Sequence, residues 1–208
     1  MKNASFKAED ITYIICVLGI VLLLTAGAGS AYAQKVNAEK QEKKRVYVMT
    51  DKKKANMGKI FPEISAKTLE NKPATLPADA KGKVTLVGVA FLRESQPQLD
   101  SWLNPFYETF GKRDGFMFYE VPMISSGYKF MKFVIDGGMR AGIPEFKHKH
   151  VLTMYGDVEK YTAALNLDPQ KGHAFLLDKA GIIRWQGEGF ATVEAIQELS
   201  AVAEKLAQ

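Results

Sequence analysis

Sulfur chemistry has almost no material to work with in this 208-residue chain, because Cys16 is its single cysteine. No intrachain disulfide, Cys-x-x-Cys pair or cysteine zinc cluster can be built from it, so redox chemistry that needs two thiols is excluded before any fold is considered. Arginine is missing from the first 44 residues, and Glu9 and Asp10 stand among them, which argues against a mitochondrial presequence. No glycine-rich phosphate loop is present. Gly137-Gly138 and Gly187-Glu188-Gly189 lack both the strand–loop–helix setting and the lysine.

Excess charge is also missing from most of the chain. The formal net charge is +5, but residues 34–59 hold nine Lys/Arg against three acids, while residues 60–208 come to −1. A body this close to neutrality disfavours nucleic acid as a partner. The basicity is local and needs a local cause.

A long apolar run supplies one. Residues 11–33 (ITYIICVLGIVLLLTAGAGSAYA) carry no charge over 23 residues. As a helix they would span roughly 34 Å, enough to cross a bilayer, and we read them as a transmembrane helix after a short tail, residues 1–10. Ala31-Tyr32-Ala33 has the small-x-small form of a cleavage site, the signal-peptide alternative. The n-region is poor, however, since Lys2 and Lys7 are offset by Glu9 and Asp10, whereas seven Lys/Arg follow between Lys35 and Lys53. The positive-inside rule then places the body in the cytoplasm of a bacterial inner-membrane, single-pass protein, with the periplasm as the alternative. Residues 34–59 become a basic tether whose lysines touch anionic lipid or simply set topology. Cys16 reads as an apolar filler inside the span.

Residues 60–208 read as one domain. Val84–Leu92 is a valine-rich apolar run, the mark of a strand buried on both faces. Ser95 is placed to cap the next helix, with Pro97 in its first turn, Leu99, Trp102, Leu103, Phe106 and Phe110 as its stripe, a kink at Pro105 and a stop at Gly111. Phe116–Val121 is a second strand. Tyr128–Met139 has helical spacing through Phe130, Phe133 and Val134, and His150–Tyr155 reads as a third strand. Asp157 caps a helix over Val158–Leu165. Ala174–Asp178 and Ile182–Trp185 form a hairpin around Gly181, and Thr192 caps a closing helix. Alternating strands and helices followed by a hairpin predict an α/β fold, a thioredoxin-like mixed sheet flanked by helices.

In such a fold the chemistry sits where the first buried strand meets its helix. Arg93-Glu94-Ser95-Gln96-Pro97 stand there, without a thiol. Ser95 has no nearby base, since His148, His150 and His173 lie far off in sequence. His148 and His150 would share a strand face, but no third ligand accompanies them. The reading therefore expects no catalytic residue, metal or cofactor. Arg184 and Trp185, residue types typical of interface hot spots, and Arg140 are the candidate partner contacts, although alternation along Ile182–Trp185 also puts Ile183 and Trp185 on the core side with Arg184 outside, the preferred reading for Trp185.

The C-terminal third also carries a family pattern. Ile143-Pro144, Tyr161–Leu165, Gly172 and FLLDKAGIIRWQGEGFAT (Phe175–Thr192) resemble the mitochondrial ATPase complex subunit ten family, thioredoxin-related assembly factors for the membrane sector of ATP synthase. The resemblance is specific over about residues 139–206. It implies an assembly factor whose partners are protein subunits of a bioenergetic membrane complex, ATP synthase first; with the apolar run and the missing dithiol, the reading is a membrane-anchored, redox-inactive one. A permanent accessory subunit of a respiratory or photosynthetic complex is the second reading. A periplasmic thioredoxin- or peroxiredoxin-like enzyme is the third, and the missing thiols count against it.

Overall fold

The computed structural model describes residues 55–208. The tail, the apolar stretch 11–33 and most of the basic segment lie outside them. Among the described residues no helix is long and apolar enough to cross a membrane.

The strands are β1 (Ile64–Thr68), β2 (Pro73–Leu76), β3 (Val84–Ala90), β4 (Phe116–Ser125), β5 (Leu152–Gly156), β6 (His173–Leu177) and β7 (Ile183–Glu188). The helices are α1 (Gln96–Phe110), α2 (Lys132–Gly142), α3 (Val158–Leu165) and α4 (Val193–Ala207). They make one seven-stranded mixed sheet in the order β2-β1-β5-β4-β3-β6-β7. β3, β4 and β5 run parallel; the other neighbours are antiparallel. The expected thioredoxin-like α/β sandwich is therefore present.

β3 is buried at every position, as its unbroken apolar run predicts for a central strand. Alternation divides its side chains between two cores. Val84, Leu86 and Ala90 pack with Leu99, Trp102, Leu103, Phe106 and Phe110 of α1 and with Leu199 and Ala203 of α4. Val87 and Val89 face the other core, where Phe61, Leu152, Phe175 and Leu165 meet. The α1 stripe predicted from spacing is buried throughout, and the helix runs on through Pro105. Asp157 and Thr192 cap as expected, accepting from the amides of Lys160 and Ala195.

Four sequence readings are corrected. Residues 64–76, to which the sequence pattern assigns no element, form an antiparallel hairpin, β1–β2; its strands are short and half exposed, so they carry little apolar pattern. Glu145–His150 is a 3₁₀ segment, not the start of a strand, so His148 and His150 do not share a strand face. The chain needs those residues to turn from the end of α2 into β5. α2 begins at Lys132, after a 3₁₀ stretch over Ser126–Met131. Ser95 precedes α1 but makes no cap, because its backbone is already helical and its hydroxyl is engaged elsewhere.

The folded domain also starts before residue 60. The Asn56 side chain is buried, and its Nδ2 donates to the Leu165 carbonyl at 2.7 Å and to Gln186 Oε1 at 3.0 Å. The Gly58 amide donates to the Ile183 carbonyl at 2.9 Å.

Candidate functional site

The junction of β3 and α1 is where a thioredoxin-like fold would carry its dithiol. Here a 3₁₀ turn, Arg93–Ser95, leads into Gln96-Pro97. Ser95 is buried and its Oγ donates to the Gln170 carbonyl at 3.4 Å. The facing loop is closed against the helix as well. The Gly172 amide donates to Gln98 Oε1 at 2.8 Å, and a Cβ on Gly172 would sit only 3.1 Å from Gln98 and Leu99 atoms. A side chain at 172 would force Gln98 or Leu99 to give by a few tenths of an ångström. Next to it His173 is buried, with Nε2 against the Asp168 carbonyl at 2.9 Å, and burial holds its imidazole below the usual range. The Ser95 hydroxyl and the Gly172 amide are thus each spent on a partner across this junction.

Beneath the first turns of α1 lies a residue that the sequence reading passed over. Glu120 of β4 is buried on the α1 side of the sheet, following Phe116 and Phe118. That alternation was the available signal. Burial pushes its carboxyl above the ordinary range; Asp100 pushes the same way, while the Gln96 side-chain amide and Lys147 oppose. Gln96 donates to Asp100, and Lys147 to Asn104, so the polar stripe of α1 that covers the acid is engaged elsewhere and Glu120 Oε1 is left without a hydrogen-bond partner.

The raised value has a stability consequence. Above the unfolded glutamate value of about 4.3, the unfolded chain loses the proton while the fold retains it. Glu120 therefore costs stability progressively as pH rises through its folded value. Glu120→Gln is expected to stabilise the domain by roughly 1–3 kcal/mol at pH 7, with the gain vanishing towards pH 4. Thermal melts of variant and parent across pH test this; the histidines cancel in the difference, and a gain independent of pH would refute the assignment.

The three candidate contact residues occupy different settings. Trp185 is buried against Trp102, ring centroids 5.3 Å apart. Arg184 points outward, but its Nε donates to Asp178 Oδ2 at 2.7 Å within the same hairpin. Arg140 Nε donates to the Leu69 carbonyl at 2.7 Å, tying α2 to the β1–β2 turn. The structure does not bring the three together. A cleft of about 250 Å³ at the far end of α1 is lined by Lys83, Lys112, Arg113, Lys149 and His150. Arg113 there is ion-paired to Glu204 and lies over Phe110 and Phe116. Burial, with Lys149 beside it, holds His150 down to about 4. Among the described residues no His/Cys/Asp/Glu group could hold a metal ion.

The sequence profile of the family described as ATP10 protein matches residues 28–206. The chain belongs to the ATP10 family. No curated protein matches it individually. Among solved structures, this ATP10 family member is similar to the thioredoxin domain of thiol-disulfide oxidoreductase BVU-2223 from Bacteroides vulgatus. The TM-score is 0.53 at 18% identity, covering 71% of this chain and 97% of that one. It is also similar to BsSco, a member of the Sco family of cytochrome c oxidase assembly proteins, with a TM-score of 0.53 at 14% identity, covering 75% of this chain and 98% of that one. These likenesses establish the fold shared by the ATP10 member and its neighbours.

Proposed function

We propose that this protein is a membrane-anchored, redox-inactive assembly factor for the membrane sector of ATP synthase. The observation that carries the reading is the β3–α1 junction, where Arg93-Glu94-Ser95-Gln96-Pro97 stand in place of a dithiol and Ser95 is tied to Gln170. Membership of the ATP10 family supports the client. The uncharged stretch 11–33, followed by seven Lys/Arg, supports an anchor in a bacterial inner membrane with the body on the cytoplasmic side. Without a dithiol the scaffold acts by binding, and its partners are protein subunits.

Deletion of the gene, followed by native electrophoresis of membranes, tests the proposal. We expect assembled ATP synthase to fall severalfold while its subunits are still made. Full-length protein carrying Cys16→Ala should restore it completely, and purified protein should show no insulin reduction. Unchanged ATP synthase in the deletion strain would refute the role, and a requirement for Cys16 would refute redox inactivity. Stoichiometric retention in the mature complex would favour a permanent accessory subunit. A reporter fused after Gln208 reads the side of the membrane.

A further inference from the structure

The α2 region turns its apolar side chains outward. Phe133 is 87% exposed, Phe130 83%, Val134 66% and Tyr128 57%. A water-facing cluster of four large apolar residues within seven positions is unusual for a folded surface. The only buried residue of α2 is Asp136, whose carboxylate accepts from Tyr155 Oη at 2.8 Å. A polar tie therefore fixes the helix to the domain, and its apolar stripe is left for something else.

Charge indicates what. Residues 126–135 contain two lysines and no acid. Lys129 stands exposed, and Lys132 leans back towards Asp136 at 3.5 Å. Aromatic and aliphatic tips interleaved with lysines suit the boundary between headgroups and acyl chains: rings enter the apolar layer and ammonium groups stay at the phosphates. The chain also limits how far this surface can travel. Covalent geometry keeps residues 34–54 from spanning more than roughly 70 Å. A domain anchored through residues 11–33 is thus held continuously beside a bilayer, where even a weak contact is populated.

We infer that Tyr128, Phe130, Phe133 and Val134, with Lys129 beside them, form a second membrane contact that lays α2 into the surface of an anionic bilayer. This rests on the anchor reading above. The contact sets which side of the domain faces the lipid.

The test uses the full chain with Cys16→Ala and a spin label at Phe133→Cys, reconstituted in nanodiscs of phosphatidylcholine with phosphatidylglycerol. The reference is the same label at Phe190→Cys, on the loop after β7. Position 133 is expected to gain oxygen access and lose access to a water-soluble nickel chelate severalfold relative to 190. Lys129→Glu should shift the equilibrium towards the detached state by at least about fivefold, the worth of one basic residue at an anionic surface. Equal nickel access at 133 and 190, in a chain that resists carbonate extraction from the same membranes, overturns the contact while the anchor stands. Extraction of the chain by carbonate ends the anchor reading and this inference with it. Shielding of 133 only after ATP synthase membrane subunits are added also overturns it, and assigns the face to a protein.

Discussion

Gly187→Val is expected to be the most damaging single substitution in the domain. Gly187 lies on β7 directly under two indoles. A Cβ there would fall 2.6 Å from Trp185 Cη2 and 2.9 Å from Trp102 Cη2, closer than any real contact. Neither ring can withdraw. Trp102 is buried and fixed by its Nε1, which donates to the Gly189 carbonyl at 2.7 Å, and Trp185 is wedged edge-on against it. Overpacking a rigid site by one methyl costs about 1–3 kcal/mol; the valine should cost roughly 3–5 kcal/mol. In a domain of this size that lowers Tm by roughly 6–20 °C. Gly187→Ala gives the smaller step, and Trp185→Phe, which deletes the nearest ring atoms, should recover part of it. A melt of Gly187→Ala within half a degree of the parent would show that the rings yield, and would end this account.

The second large effect belongs to Asp178, at the turn between β6 and β7. Its Oδ1 accepts from the Ala180 amide at 2.8 Å and the Ile182 amide at 3.0 Å, and its Oδ2 accepts from Arg184 Nε at 2.7 Å. One carboxylate thus closes the turn and fixes the outward arginine. Asp178→Ala is expected to cost about 2–4 kcal/mol in urea titration, and Asp178→Asn somewhat less. Partial burial pushes the carboxyl up, but the Ile182 amide, the Arg184 guanidinium and the Ala180 amide together outweigh it, so the group sits below its ordinary range. Its contribution is therefore fully present above the unfolded aspartate value of about 3.9 and lost as pH falls through the lower folded value. The gap between Asp178→Ala and the parent should hold from pH 7 to 5 and close only in stronger acid. A gap that closes near pH 6 would place the titration elsewhere.

Much of this architecture is legible from residue order. The unbroken run in β3 could only be a central strand, and the Leu99–Phe110 stripe could only cover it. Asp178 and Gly181 announce the hairpin because an acid that accepts two turn amides and a glycine at φ 84° are what that turn requires. The β1–β2 hairpin was not legible, since its strands alternate weakly and lie at the sheet edge. Glu120 was legible in principle: the positions two and four residues before it are buried phenylalanines, so alternation alone puts its carboxyl inside.

For the candidate sites the division is sharper. A second thiol cannot be created by folding, so the absence of a dithiol at the β3–α1 junction follows from composition, and the Ile-Arg-Trp hairpin already pointed to the family. Composition cannot say which way a helical stripe faces. Phe130, Phe133 and Val134 share the i, i+3, i+4 spacing of Leu99, Trp102 and Leu103, yet one set is in water and the other in the core. Periodicity records only that a helix has an apolar side. What that side meets depends on where the sheet lies: here Asp136 of α2 is buried and bonded to Tyr155, while Phe133 of the same helix and Phe130 just before it are in water. For the same reason Arg184 and Trp185, adjacent in sequence, end on opposite sides of one strand, the arginine bound to its own turn and the tryptophan sealed over Gly187.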